Sequence, residues 1–192
     1  MGKKFELTDK FIINVFGIKL FQIKCTKSFK YAQKGDLGGY VEKEGNLDQE
    51  NDAWVSGNAQ VSGDAWVSGN AQVSDNAQVS DNAQVSDNAR VSGDAWVSGD
   101  AWVYGNAWVY GDANIKNNNE HCGFDGFGSC NRHTHAYLTK EKKVEITCGC
   151  FRGSIEEFEK KVEETHSGTI YEKQYKAIIN VIKIKFGLTD LI

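Results

Sequence analysis

From Ala53 to Ile115 the chain runs small apolar, variable, aliphatic, then three polar or small residues, in a phase of six that never slips. Alanine holds every sixth position from Ala53 to Ala113, and valine every sixth from Val55 to Val109, with Ile115 closing the series. The phase runs backwards through Leu47 and Val41, where "GGYVEKEGNL" is a degenerate form of the same register. On an extended chain, residues two apart point to one side and the residue between them points away. Each hexad therefore predicts a short strand with alanine and valine inward. The Gly/Asp then Asn/Asp pair can take the left-handed backbone conformation that a corner needs.

Straight edges of six residues with small corners close best as a triangular coil of three hexads, about eighteen residues per turn. Stacked coils then bury identical residues on one another, which is a reason for near-identical repetition such as "VSDNAQVSDNAQVSDNAR" at 73–90. Abundant Asn, Ser, Gly and Gln would otherwise describe a disordered tract, but such tracts hold no strict inward aliphatic position. The phrase resembles the hexapeptide signature of left-handed parallel β-helices: an aliphatic residue, then a small one four places on, as in Val55 and Ala59. Left-handed winding runs against the usual crossover rule and is what this resemblance implies.

With eighteen residues per coil the outward positions fall into three columns: Trp54, Gln72, Arg90 and Trp108; Gln60, Gln78 and Trp96; Trp66, Gln84 and Trp102. The C-terminal end of the stack is thereby ringed by Trp96, Trp102 and Trp108, with Tyr104 and Tyr110 beside them. Together with Arg90 these are the candidate binding residues. Outward tryptophans need cover. The chain's own termini or a sister subunit would supply it, as would a partner protein or a stacked base.

The flanks differ from the repeat. Residues 1–40 predict a β-rich cap, with "FIINVF" and "IKLFQIKC" as two strands around Gly17. "KGDLGGYVEKEGNL" is glycine-rich but lacks P-loop spacing, and is read as a structural turn. After Ile115, "KNNNEHCGFDGFGSCNRHTHAYL" reads as a loop passing into a strand at Thr134 to Leu138, and "KVEITCGCF" as a second strand. Ser154 to Glu157 is a capping box that opens a helix with Ile155, Phe158 and Val162 on one face. "SGT" at 167–169 breaks it, and a second helix follows from Ile170 to Phe186. The expected fold is mainly β. It comprises a left-handed parallel β-helix over 41–116, between the cap (1–40) and a small C-terminal α+β domain (117–192) of a hairpin and two helices.

Composition narrows the functions. The formal net charge is −4, so no global basic field draws the chain to nucleic acid or to an anionic membrane. A nucleotide or nucleic-acid ligand is therefore not favoured. No apolar run approaches the roughly 20 residues of a membrane span. The N-terminal stretch makes a poor signal peptide, because charged residues interrupt its apolar run; an intracellular, cytoplasmic protein is expected. Five cysteines, an odd number, argue against a disulfide framework.

The concentration of metal-type ligands is His121, Cys122, Cys130, His133, His135, Cys148, Cys150 and His166. Thiolate and imidazole suit zinc, with Cys122, Cys130, His133 and His135 the candidate set. Zinc knuckles usually show C-x₂₋₄-C, which is missing here, so no cofactor is the stronger expectation and a structural zinc the weaker. One of Cys148 and Cys150 is expected to face the core. Hexapeptide-repeat acyltransferases, which the stack resembles, typically carry a histidine base on or beside the coils. No histidine lies between Ala53 and Ile115, and no catalytic residue is assigned.

The chain as a whole resembles uncharacterised phage and prophage proteins. The likeness is carried by "KGDLGGYVEKEGNL", "GDAWVYGNAWVYGDA" and "CGCFRGSIEEFEKKVEETH". It implies a non-enzymatic, counter-defence binder, an anti-CRISPR-like inhibitor or immune-signal sponge, acting on a host protein or complex and likewise oligomeric. The alternatives are an acyltransferase-like enzyme using His133 or His135, and a structural virion component.

Overall fold

The computed structural model describes residues 2–188. The chain divides into two compact units, residues 1–117 and 118–192.

In the first unit β1 (Phe5–Ile13), β2 (Lys19–Cys25) and β3 (Leu37–Val41) pair antiparallel in that order. From β4 (Trp54–Val55) to β14 (Asn114–Ile115) a two-residue strand follows at every hexad. Each pairs in parallel with the strand eighteen residues on: Trp54 with Gln72, Gln72 with Arg90, Arg90 with Trp108. The result is a β-solenoid with three parallel sheets. One of them continues through β3 into β2 and β1. Every inward alanine and valine of the repeat is buried, from Ala53 to Ile115. At roughly 1.5–3 kcal/mol for a fully buried valine, this column is the dominant source of the unit's stability.

The corners explain the most repetitive stretch. Asp75, Asp81 and Asp87 have φ of 60°, 60° and 58°, the left-handed region that glycine holds in the neighbouring coils. An aspartate there is strained unless its side chain is used locally. Here each carboxylate Oδ2 accepts the backbone N–H one coil on, Gly93, Gly99 and Gly105, at 3.0–3.1 Å. The triple "VSDNAQ" phrase is thus one coil that ties its three corners to the next. At two of its three corners the following coil cannot copy it. A Cβ on Gly93 would lie 2.8 Å from the Gly111 nitrogen, and one on Gly99 2.3 Å from the Lys116 oxygen. Beside these corners, asparagine side chains bridge coils: Asn58 Nδ2 donates to Asn76 Oδ1, and Asn76 Nδ2 to Asp94 Oδ1.

The second unit is α+β. β15 (His121–Phe127), β16 (Arg132–Leu138), β17 (Val144–Cys148) and β18 (Phe151–Ser154) form an antiparallel sheet in chain order. This is twice the expected hairpin. "HCGFDGF" falls in the expected loop, yet it pairs along β16 with a bulge between Phe124 and Phe127. The α1 (Ile155–His166) and α2 (Ile170–Lys185) helices pack on one face of the sheet, and their core joins Ile155, Phe158, Val162, Tyr175, Ile178, Ile179 and Ile182 to Ala136, Ile146 and Cys148. The capping box is formed as read: Ser154 Oγ accepts the Glu157 N–H, and Glu157 Oε2 accepts the Ser154 N–H. Thr169 caps α2 in the same way through the Glu172 N–H.

Candidate functional site

The outward columns of the solenoid have different cover. Trp54 is only 5% exposed, with Phe29 edge-on at 5.4 Å. Trp96 is half-buried; Phe16 from the β1–β2 turn lies 5.9 Å away and the indole N–H donates to Ser80 Oγ. The third column, Trp66–Gln84–Trp102, is different. Trp66 is 47% exposed, Trp102 48% and Gln84 exposed. The two indoles stand two coils apart on one face, about 10 Å at one strand spacing per coil. Tyr104, 55% exposed, packs its ring 5.1 Å from Trp102 and widens the apolar surface. The Trp102 N–H donates to Ser86 Oγ at 3.2 Å, which fixes the indole plane.

Of the other sequence-predicted binding residues, Trp108 and Tyr110 are exposed and pair edge-on at 6.3 Å. Arg90 lies one coil from Trp108 in its column and is exposed. The repeat phase groups Trp96 with Trp102 and Trp108; the structure lays Trp96 under Phe16 and adds Trp66 to the open face instead. The signal for that was the column itself, since Trp66 stands eighteen and eighteen residues before Trp102 through Gln84.

In the C-terminal unit strand alternation separates the candidate metal ligands. Cys122 pairs with Ala136 and points with it toward the helices, where burial pushes its thiol up to about 11. His133 and His135 project from the opposite face of β16, and Cys130 is exposed in the β15–β16 connection. The four do not share one site. Among the described residues no three His, Cys, Asp or Glu side chains gather to hold a metal ion. Cys148 faces the core, while Cys150 is exposed in the turn after it.

What the sheet does gather is a row of rings. His133 lies 5.7 Å from His135, which lies 5.2 Å from His121 and 5.6 Å from Tyr137. His121 Nδ1 and His135 Nε2 are 3.0 Å apart, and His121 Nε2 is 3.3 Å from Asn118 Oδ1. An amide oxygen only accepts, so His121 donates from Nε2 and its Nδ1 accepts the His135 Nε2–H. Burial, reinforced by the Lys185 charge, pulls His121 down to about 4, so His121 is neutral at pH 7. Tyr137 donates to Glu145 Oε1 at 2.7 Å, and Arg152 clamps both oxygens of the same carboxylate at 2.6 and 3.1 Å.

At the open end of the row, His133 Nδ1 lies 2.8 Å from Asp125 Oδ1. The carboxylate holds Nδ1 as the donor and leaves the Nε2 lone pair to accept a proton. That Nε2 is buried and has no hydrogen-bond partner among the described residues. The ring fits because residue 123 is glycine: a Cβ there would come within 2.6 Å of His133 Cε1. Asp125 was missed in the sequence because its segment reads as loop; once that segment is a strand, the register that pairs Gly123 with His135 and Phe124 with Thr134 sets Asp125 opposite His133.

Residues 59–75 and 83–99 match a family model described as "YdcK Beta solenoid repeat". A comparison with the curated proteins finds no match. The two matched stretches lie wholly within the inner coils, and what they show is a YdcK-like β-solenoid repeat fold, joined here to a distinct C-terminal α+β unit.

Proposed function

We propose that this is a binding protein that docks a protein partner on the Trp66–Gln84–Trp102 face. The observation that supports it is where exposed indoles recur in one column: Phe29 covers Trp54, Phe16 covers Trp96 and Trp108 is 39% exposed at the end of its column, whereas Trp66 and Trp102 are both about half exposed on the same face. Rigid indoles two coils apart on a flat sheet are the kind of anchor that dominates protein interfaces. The surroundings define the partner's chemistry. Between Ala53 and Ile115 there are seven aspartates and one basic residue, Arg90. A complementary surface carries an apolar pocket with a basic rim.

The resemblance of both flanks to phage and prophage proteins leads us to assign the partner to the bacterial host, in its cytoplasm, and the action to inhibition of a defence component. On the same resemblance we take the solenoid as the left-handed hexapeptide type. The test is a pull-down from host lysate with the wild type and a Trp66→Ala/Trp102→Ala double variant, at low and high salt. One stoichiometric protein, held by the wild type and lost by the variant, is expected. Equal capture by both, or none by either, defeats the reading. If light scattering instead shows a dimer that the double variant loses, the face is a self-interface.

A second reading rests on the Asp125–His133 pair, a carboxylate-oriented imidazole whose Nε2, buried against Gly123, would have to be uncovered to act as a general base. It would make the protein an acyltransferase-like enzyme. Thiol release from acetyl-CoA with amine or hydroxyl acceptors, abolished in His133→Ala, is its signature; no release from the wild type ends it.

A further inference from the structure

A cavity of about 270 Å³ opens in the C-terminal unit between the sheet's turns and the helices. It sits at the small end of the range for ligand cavities, which suits a compact molecule. Its polar lining is one-sided. Arg132, Lys161 and His166 supply cationic or protonatable nitrogen, and Ser129, Thr165 and Tyr175 supply hydroxyls. No aspartate or glutamate lines it, in a chain with 26 acidic residues against 22 basic ones. The opposite wall is apolar, formed by Phe151, Phe158 and Val162.

The cationic side is positioned by backbone geometry. Arg132 lies across Gly149, whose φ is +60° and where a Cβ would meet the guanidinium NH1 at 2.6 Å. Among the described residues Arg132 makes no ion pair, whereas Arg152 two strands away is clamped to Glu145. The carboxylate nearest Lys161 is Glu164, one helical turn on and 3.7 Å away. His166 stacks on the Tyr175 ring at 5.5 Å with 28° between planes, and both line the cavity. The Tyr175 hydroxyl stays protonated, since burial and the Cys148 thiol 3.8 Å away push it up to about 12.

We propose that this cavity binds a small organic anion, a carboxylate or phosphate monoester with an apolar group. The anionic head sits on Arg132, Lys161 and His166, and the apolar part lies against Phe151, Phe158 and Val162. Planar guanidinium matches both head groups, and an unpaired one facing a cavity is a ready anion receptor. The site is separate from the tryptophan face and does not depend on it.

The test is a titration of the full-length protein followed by backbone amide shifts at Arg132, Cys150 and Thr165. The probes are phenyl phosphate, benzoate, inorganic phosphate and, as cationic control, benzylamine. Saturable shifts with phenyl phosphate or benzoate, none with benzylamine, and affinity lowered about tenfold in Arg132→Gln are expected, as for loss of one charge-assisted contact. The relative affinity of the two anions identifies the head group. Arg132 is exposed, so the variant should fold, and Lys161→Gln gives an independent second reading. The proposal is overturned if neither anion saturates below about 10 mM. It is also overturned if benzylamine binds as well, if both variants bind as the wild type does, or if inorganic phosphate matches phenyl phosphate, which would leave the apolar wall no part.

Discussion

The two units use sequence in opposite ways. In the solenoid each role recurs every six residues, so Val61, Val79 and Val97 are interchangeable parts of one buried column. In the C-terminal unit no role is repeated: His121, His133 and His135 share a sheet face yet differ in every partner. Repetition gives stability that is spread evenly and is nearly free of titrating groups other than aspartate. The unrepeated unit concentrates imidazoles and thiols in a few places. Stability and chemistry are thus divided between the units, and the division can be tested because their optical probes separate. All five tryptophans lie in the first unit and both α-helices in the second.

The largest difference is expected with acid. His121 stays neutral in the folded protein down to about 4, while the unfolded imidazole titrates near 6.5. Between those values the unfolded chain binds more protons, so stability is full above 6.5 and falls as pH drops toward 4. The shift corresponds to about 3 kcal/mol. Helix ellipticity should therefore be lost at lower denaturant than tryptophan fluorescence as pH falls through this window, and His121→Gln should flatten the helix response. Coincident transitions at every pH would show that the units share one stability.

The second difference is in how the core responds. Val85→Ala removes two methyl groups from a fully buried position, a loss of about 2 kcal/mol with the cavity it leaves. Val79→Ala and Val91→Ala should cost the same within a few tenths of a kcal/mol, since each sits between identical neighbours in its own column. Urea titrations read by tryptophan fluorescence measure this. Unequal values would mean that the coils are not energetically equivalent.

This contrast also accounts for what was legible in the sequence. The strict phase from Ala53 to Ile115 yields strands, inward positions and columns, because eighteen-residue stacking leaves each position one environment. Cover of outward tryptophans by the chain's own termini was legible, but that it falls on Trp96 and Trp54 was not, since Phe16 and Phe29 reach them from segments outside the phase. In the C-terminal unit the helices were legible from the capping box at Ser154 and the apolar spacing that follows. The β15 strand was not, because Gly123 is there to admit the His133 ring, a tertiary demand that looks like loop composition. The proposed anion cavity draws on Arg132, Lys161 and His166, which lie on different elements with nothing local to link them.

The smallest expected effect concerns one corner of the solenoid's surface. Asp64, Asn82 and Asp100 occupy one corner in successive coils, and Asn82 Nδ2 donates to Asp100 Oδ1 at 3.0 Å. On the other side Asp64 is held by Lys43 at 2.7 Å. The amide thus lies one coil from a carboxylate on either side. Asn82→Asp would replace that donor with a third negative charge, at a cost of about 0.5–1 kcal/mol for like charges on adjacent strands. The loss should be relieved by salt, which screens exposed charges, and by acid as the carboxylates are protonated. Asn82→Ser removes the amide bridge without adding charge and should show no salt dependence. If the two variants respond alike to salt, the asparagine serves the corner through its hydrogen bond alone, and charge separation is not the reason it alternates with aspartate.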